Sequence, residues 1–207
     1  MIRISAALFA IFLFCLPAVS ATVNILALGD SLTAGYGLDP KDAFPVKLEA
    51  ALKANGHDVK VVNAGVSGDT AAAGLARLDW SLTGDISAVI VELGANDALR
   101  GLDPKQAEAA LDQILTRIGA KGLPVLVAGM QAPRNMGKDY VAAFDPIFQR
   151  LAEKHKTLLY PFFLDGVAAD PKLNQPDGLH PTAEGIDMIV ARILPRVEEL
   201  VGQASAK

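Results

Sequence analysis

Val23-Asn24-Ile25-Leu26-Ala27-Leu28, running directly into Gly29-Asp30-Ser31-Leu32, decides how this chain is read. The first six residues are compact and mostly apolar on both faces, as a strand covered on both sides of a parallel sheet must be. The next four place a glycine, a carboxylate and a hydroxyl where that strand ends. Runs of the same kind recur at residues 59–63, 88–93, 125–128 and 158–162. Between them lie helix-periodic stretches at about 44–55, 70–81, 104–120 and 140–154, with a last one at about 181–201. Pro104 after Asp103 suits a first helical position, and Gly56 and Gly122 suit helix ends. Such strict alternation predicts an α/β fold: a three-layer α/β/α sandwich on a mostly parallel five-stranded sheet, flavodoxin-like, in strand order 2-1-3-4-5.

Ligands of such sheets sit beyond the carboxyl ends of the strands. Ser31 follows the first run, Gly68 the second and Gly94-Ala95-Asn96-Asp97 the third. Asp177-Gly178-Leu179-His180 lies in the connection after the fifth. All four clusters therefore reach one rim.

The bulk properties set the surroundings. After Met1-Ile2-Arg3 the chain is apolar from Ile4 to Val19 and ends this stretch in Val19-Ser20-Ala21, the layout of a secretory signal. A spanning helix needs roughly 20 apolar residues, and this segment is shorter and broken at Pro17. The expected organisation is a signal at 1–21 cleaved after Ala21, one domain at 22–202 and a frayed tail at 203–207. Cys15, the only cysteine, lacks the run that precedes a lipidated cysteine. The mature protein then has no disulfide and relies on its core. About 185 residues suffice for that, since such a chain buries around 70% of its unfolded surface. A periplasmic or secreted monomer with no stable membrane anchor is expected. A net charge of −4 without a basic stripe argues against nucleic acid and anionic membrane surfaces as partners. No repeat, linker or low-complexity block appears.

The rim residues suit acyl transfer. Ser31 stands at a strand end, where a nucleophile needs its hydroxyl, although a serine there also suits a helix cap. His180 alone of three histidines lies near an orienting acid. His57 and His155 sit in polar settings that read as solvated. Imidazole is the natural general base near neutral pH, and Asp177 can hold the ring nitrogen that faces away from Ser31. Asp177 equally suits the turn between Pro176 and Gly178. Donors for a developing oxyanion are the Ser31 amide, the Gly68 amide ahead of a helix beginning near Asp69, and the Asn96 side chain. Asn96 and Asp97 also suit an Asx turn. No metal-ligand spacing and no phosphate-binding pattern is present, so neither metal nor cofactor is expected.

Gly29-Asp30-Ser31-Leu32, Gly68, Gly94-x-Asn96-Asp97 and Asp177-x-x-His180 resemble blocks I, II, III and V of the SGNH (GDSL) hydrolases. The longer strings Ser67-Gly68-Asp69-Thr70, Gly74-Leu75-Ala76-Arg77-Leu78 and Val91 to Gly101 are similar to its branch of exported thioesterases, lysophospholipases and arylesterases. The resemblance spans almost the whole mature chain. It implies Ser31 as nucleophile, Asp177 and His180 as the rest of the triad, and Ser31, Gly68 and Asn96 as the oxyanion hole. Gly65 is a second possible amide donor, but the block match favours Gly68. Ala95 stands where a glycine is common in this branch. The reaction implied is hydrolysis of carboxylic esters and acyl-thioesters through an acyl-Ser31 intermediate. An acyl chain would lie along Leu99, Arg100, Pro133 and Met136, with Arg134 nearby. A carbohydrate O-deacetylase on the same triad is the alternative enzyme, and a non-catalytic acyl- or lipid-binding module the alternative class.

Overall fold

The computed structural model describes residues 22–206, so the signal read at 1–21 lies outside the described residues. Five strands are present: β1 (Val23–Gly29), β2 (Val59–Gly65), β3 (Ala88–Glu92), β4 (Val125–Ala128) and β5 (Leu158–Tyr160). They form one sheet in the order β2-β1-β3-β4-β5, every pairing parallel. This is the expected flavodoxin-type winding, and it places its reversal at β1 and β3. Gly29 stands in register with Gly65 on one side and Glu92 on the other, so three strands end level at one rim.

The helices are α1 (Ser31–Ala34), α2 (Phe44–Ala54), α3 (Ala71–Ala76), α4 (Leu78–Ser81), α5 (Ala95–Leu99), α6 (Pro104–Ala120), α7 (Lys138–Phe144), α8 (Ile147–His155) and α9 (Ala183–Ser205). α2 packs on α9 over one face of the sheet, while α3, α6 and α8 pack together over the other. Ile189, Ile193, Val197 and Leu200 of α9 form a fully buried stripe at helical spacing. Ile25, Leu26, Ala27 and Leu28 of β1 are buried on both faces, as a central strand between two helical layers must be.

Three expected elements differ. The stretch read at 70–81 is two short helices broken at Arg77, whose side chain reaches back to the end of β1. The stretch at 140–154 breaks before Pro146, which has no N–H to continue the ladder, giving α7 and α8. The last helix continues through Ser205, so Gln203–Ser205 are helical rather than a frayed tail. Ala204 still packs on the core, and the Ser205 hydroxyl donates to the Val201 carbonyl at 3.0 Å.

Candidate active site

The position of Ser31, the expected nucleophile, is built from β1 outward. Asp30 caps the single-turn α1 by accepting from the Leu32 amide at 2.9 Å. Its second carboxylate oxygen accepts from Asn96 Nδ2 at 3.0 Å. One wholly buried carboxylate thus holds the turn that carries Ser31 and the side chain of Asn96. Burial pushes Asp30 up to about 6, against the lowering effect of those two hydrogen bonds.

His180, the expected base, rides on a small hairpin rather than a free loop. Gln175 N donates to the His180 carbonyl at 2.7 Å, and Thr182 N to the Leu173 carbonyl at 2.9 Å. Buried Asn174 pairs with Pro181 and donates from Nδ2 to the carbonyls of Val167 and Asp170, at 2.6 and 2.8 Å. At its tip Asp177 Oδ1 accepts from the amides of Leu179 and His180, while Oδ2 meets His180 Nδ1 at 2.6 Å. The ring bond and then those two amides hold the Asp177 carboxyl down at about 2. A carboxylate only accepts, so Nδ1 carries the proton and Nε2 is left as acceptor. Nε2 lies 2.9 Å from Ser31 Oγ. Residues 149 positions apart therefore meet in hydrogen-bonding geometry.

Among the described residues the amides of Ser31 and Gly68 have no intramolecular acceptor. Asn96 Nδ2 spends one hydrogen on Asp30 and keeps the other. Asn96 belongs to α5, not to the strand end. The helix expected near Asp69 starts at Ala71, capped by Thr70, so the Gly68 amide lies in the loop ahead of it. Gly68 adopts φ +87°, a left-handed conformation that suits glycine. Arg100 Nη2 donates to its carbonyl at 2.8 Å, which fixes the plane of the Gly68–Asp69 peptide. Gly65 N is occupied by Asn63 Oδ1 at 3.0 Å, so the alternative donor is already engaged.

Four residues beneath or beside this rim were given no role by the sequence, although Arg77 and Glu92 lie within the strings quoted above. Arg77 Nε binds Asp69 at 2.6 Å and its Nη2 donates to the Gly29 carbonyl at 2.9 Å, joining the Gly68 loop to the end of β1. Fully buried Glu92 accepts from the Thr33 hydroxyl at 2.8 Å. Burial, with Asp30 nearby, raises Glu92 well above the usual carboxylate range. A lone acid inside the apolar run 88–93 was the available signal. Tyr36, from the glycine-rich turn after Ser31, and Gln175 also touch the site.

The expected acyl groove is partly assembled. Leu99 is 46% exposed at the rim. Met136 Cε packs on Gly101, 3.0 Å from where a side chain would begin there, so the loops after β3 and β4 adjoin. Pro133 is half-buried at the head of the short turn Arg134–Met136. Arg100 turns to Gly68, and Arg134 is held by Asp145 at 2.6 Å and by Gln131. His155, read as solvated, has its ring mostly covered and bonded to Asp112 at 2.6 Å. Among the described residues no group of three or more His, Cys, Asp or Glu side chains is placed to hold a metal ion.

Residues 27–187 match the model of the GDSL-like lipase/acylhydrolase family. The chain belongs to that family. Within it, the chain is 40% identical over 201 residues to an arylesterase of Vibrio mimicus, covering 95% of this chain and 96% of the other. It is 38% identical over 183 residues to esterase TesA of Pseudomonas aeruginosa, covering 88% and 91%. With thioesterase 1/protease 1/lysophospholipase L1 of Escherichia coli it shares 37% over 187 residues, covering 90% and 88%. The crystal structure of AlinE4, an SGNH-hydrolase family esterase, superposes with a TM-score of 0.74 at 46% identity, over 86% of this chain and 96% of that one. Like these GDSL-family relatives, the chain is an ester hydrolase of the serine type.

Proposed function

We propose that Ser31, His180 and Asp177 carry this hydrolysis, with the Ser31 and Gly68 amides and the Asn96 side chain as oxyanion donors. The observation that carries the reading is the continuous chain from Asp177 Oδ2 through His180 to Ser31 Oγ, at 2.6 and 2.9 Å. Ser31 Oγ attacks the acyl carbonyl as its proton passes to His180 Nε2. The C=O electrons move onto oxygen, where the three donors receive the charge. Collapse breaks the bond to the alcohol or thiol, which leaves with the proton from Nε2. Water, deprotonated by the same nitrogen, then attacks the acyl carbon, and the bond to Ser31 Oγ breaks as Nε2 returns the proton to that oxygen and the acid is released. Asp177 stays ionised throughout and stabilises the imidazolium.

Aryl esters, lysophospholipids and acyl-thioesters are the substrates we favour, because exposed Leu99 and half-buried Met136 offer the acyl chain an apolar path. The export signal read at residues 1–21 goes with action in the periplasm or outside the cell. Hydrolysis of acetyl and octanoyl esters of one phenol by the mature protein tests the acyl reading. A higher kcat/KM for octanoyl is expected; activity confined to acetyl, with release of acetate from acetylated glycans, would refute it.

A further inference from the structure

The bond between Ser31 and His180 breaks and re-forms in every cycle, so it cannot be what holds the two loops together. Asp177 does not solve this, because it sits on the same hairpin as His180 and fixes the ring only relative to that hairpin. Among the described residues two hydrogen bonds join residues 173–182 to residues 29–38. One is the catalytic contact itself, and the other runs from Gln175 Nε2 to the Tyr36 carbonyl at 2.8 Å.

Resting on the serine reading above, we propose that Gln175 is a positioning residue that keeps His180 in line with Ser31 by fastening the turn after the nucleophile to the hairpin of the base. On the hairpin side, its backbone amide donates to the His180 carbonyl at 2.7 Å. Its carbonyl accepts from Gly178 N at 2.9 Å, and Nε2 also donates to the Pro181 carbonyl at 3.0 Å. On the nucleophile side, the amides of Gly35 and Tyr36 both donate to the Ser31 carbonyl at 3.1 Å, so Tyr36 moves with Ser31. Gly37, at φ +74°, leaves the space that the Gln175 amide fills; a Cβ there would overlap it. The clasp also sets the Tyr36 ring against the imidazole, with centroids 4.5 Å apart and planes tilted by 36°. In-plane rotation of His180 is governed by Asp177, and its distance from Ser31 by Gln175 and Tyr36.

Gln175→Met keeps the length of the side chain and removes both donated hydrogen bonds, leaving the hairpin's backbone bonds in place. A misplacement near 1 Å costs about 10²-fold in rate, so kcat on a short aryl ester should fall about 10- to 100-fold. KM should stay within about twofold, and the thermal midpoint within a few degrees of the parent. Gln175→Asn, whose amide is one methylene too short for Tyr36, should behave alike and decides the matter if the methionine variant does not fold. Rates are expressed per folded molecule, from circular dichroism of the same sample. Turnover within twofold of the parent, or a loss confined to KM, overturns the proposal. Ser31→Ala is run alongside: if it retains the parental rate, the serine reading has failed. An inactive Ser31→Ala beside a fast Gln175→Met sinks the clasp alone.

Discussion

Asn96→Ala is the perturbation whose two effects can be read separately. Its Nδ2 has two hydrogens, one bound to Asp30 at 3.0 Å and one free at the rim. Losing the rim donor removes an interaction made chiefly when the carbonyl oxygen becomes charged. Such losses cost about 10²–10³ in kcat, or roughly 2.7–4 kcal/mol of transition-state stabilisation. Losing the other leaves wholly buried Asp30 with the Leu32 amide alone at its carboxylate. An unsatisfied buried partner costs about 1–3 kcal/mol, and in a domain of this size each kcal/mol lowers Tm by about 2–4 °C. Steady-state kinetics on an aryl ester, with thermal unfolding on the same preparation, should show kcat down by two to three decades, KM nearly unchanged and a lowered Tm. A variant that loses affinity but turns over normally would refute the oxyanion role. One that is slow yet as stable as the parent would refute the dual use of the amide.

Other perturbations follow from the same contacts. Ser31→Ala should cut kcat by about 10⁶, the scale seen when a serine triad loses its nucleophile, with circular dichroism unchanged; substantial residual turnover would reassign the nucleophile. Asp177 is held at about 2 when folded, so its contribution to stability is present above its ordinary value near 3.9 and is lost as pH falls toward 2. Asp177→Asn should therefore unfold less steeply than the parent between pH 4 and 2, which denaturation at stepped pH checks. Glu92 binds its proton more tightly folded than unfolded, so the parent loses stability as pH rises above the ordinary glutamate range. Glu92→Gln has no such proton to lose: the variant should gain on the parent as pH rises above that range, and parallel stability curves would show that the folded state does not hold the Glu92 proton more tightly.

Much of this molecule was legible because its strands are short, apolar and regularly interrupted. With β1 and β3 buried on both faces, alternation alone implied the layered fold and put four clusters at one rim. The breaks at Arg77 and Pro146 were harder to see. The first depends on a side chain reaching the Gly29 carbonyl, 48 positions away; the second lies inside an otherwise periodic stretch. The groups named by short motifs came together in the structure. Those that only hold others in place did not announce themselves, because Gln175 and Tyr36 act through a turn carbonyl and a ring face. Neither needs a distinctive spacing. Glu92 differs, since a carboxylate in an apolar strand is visible once the strand is known to be covered on both sides.

Ser31 stands just beyond the first strand of the sheet, and His180 on a hairpin reached only after the fifth. A partly folded form whose final hairpin has not docked therefore keeps the two apart, and ester cleavage becomes a report on that docking. During renaturation, regained helical signal should run ahead of regained turnover, and the interval between them measures how long the last hairpin takes to dock.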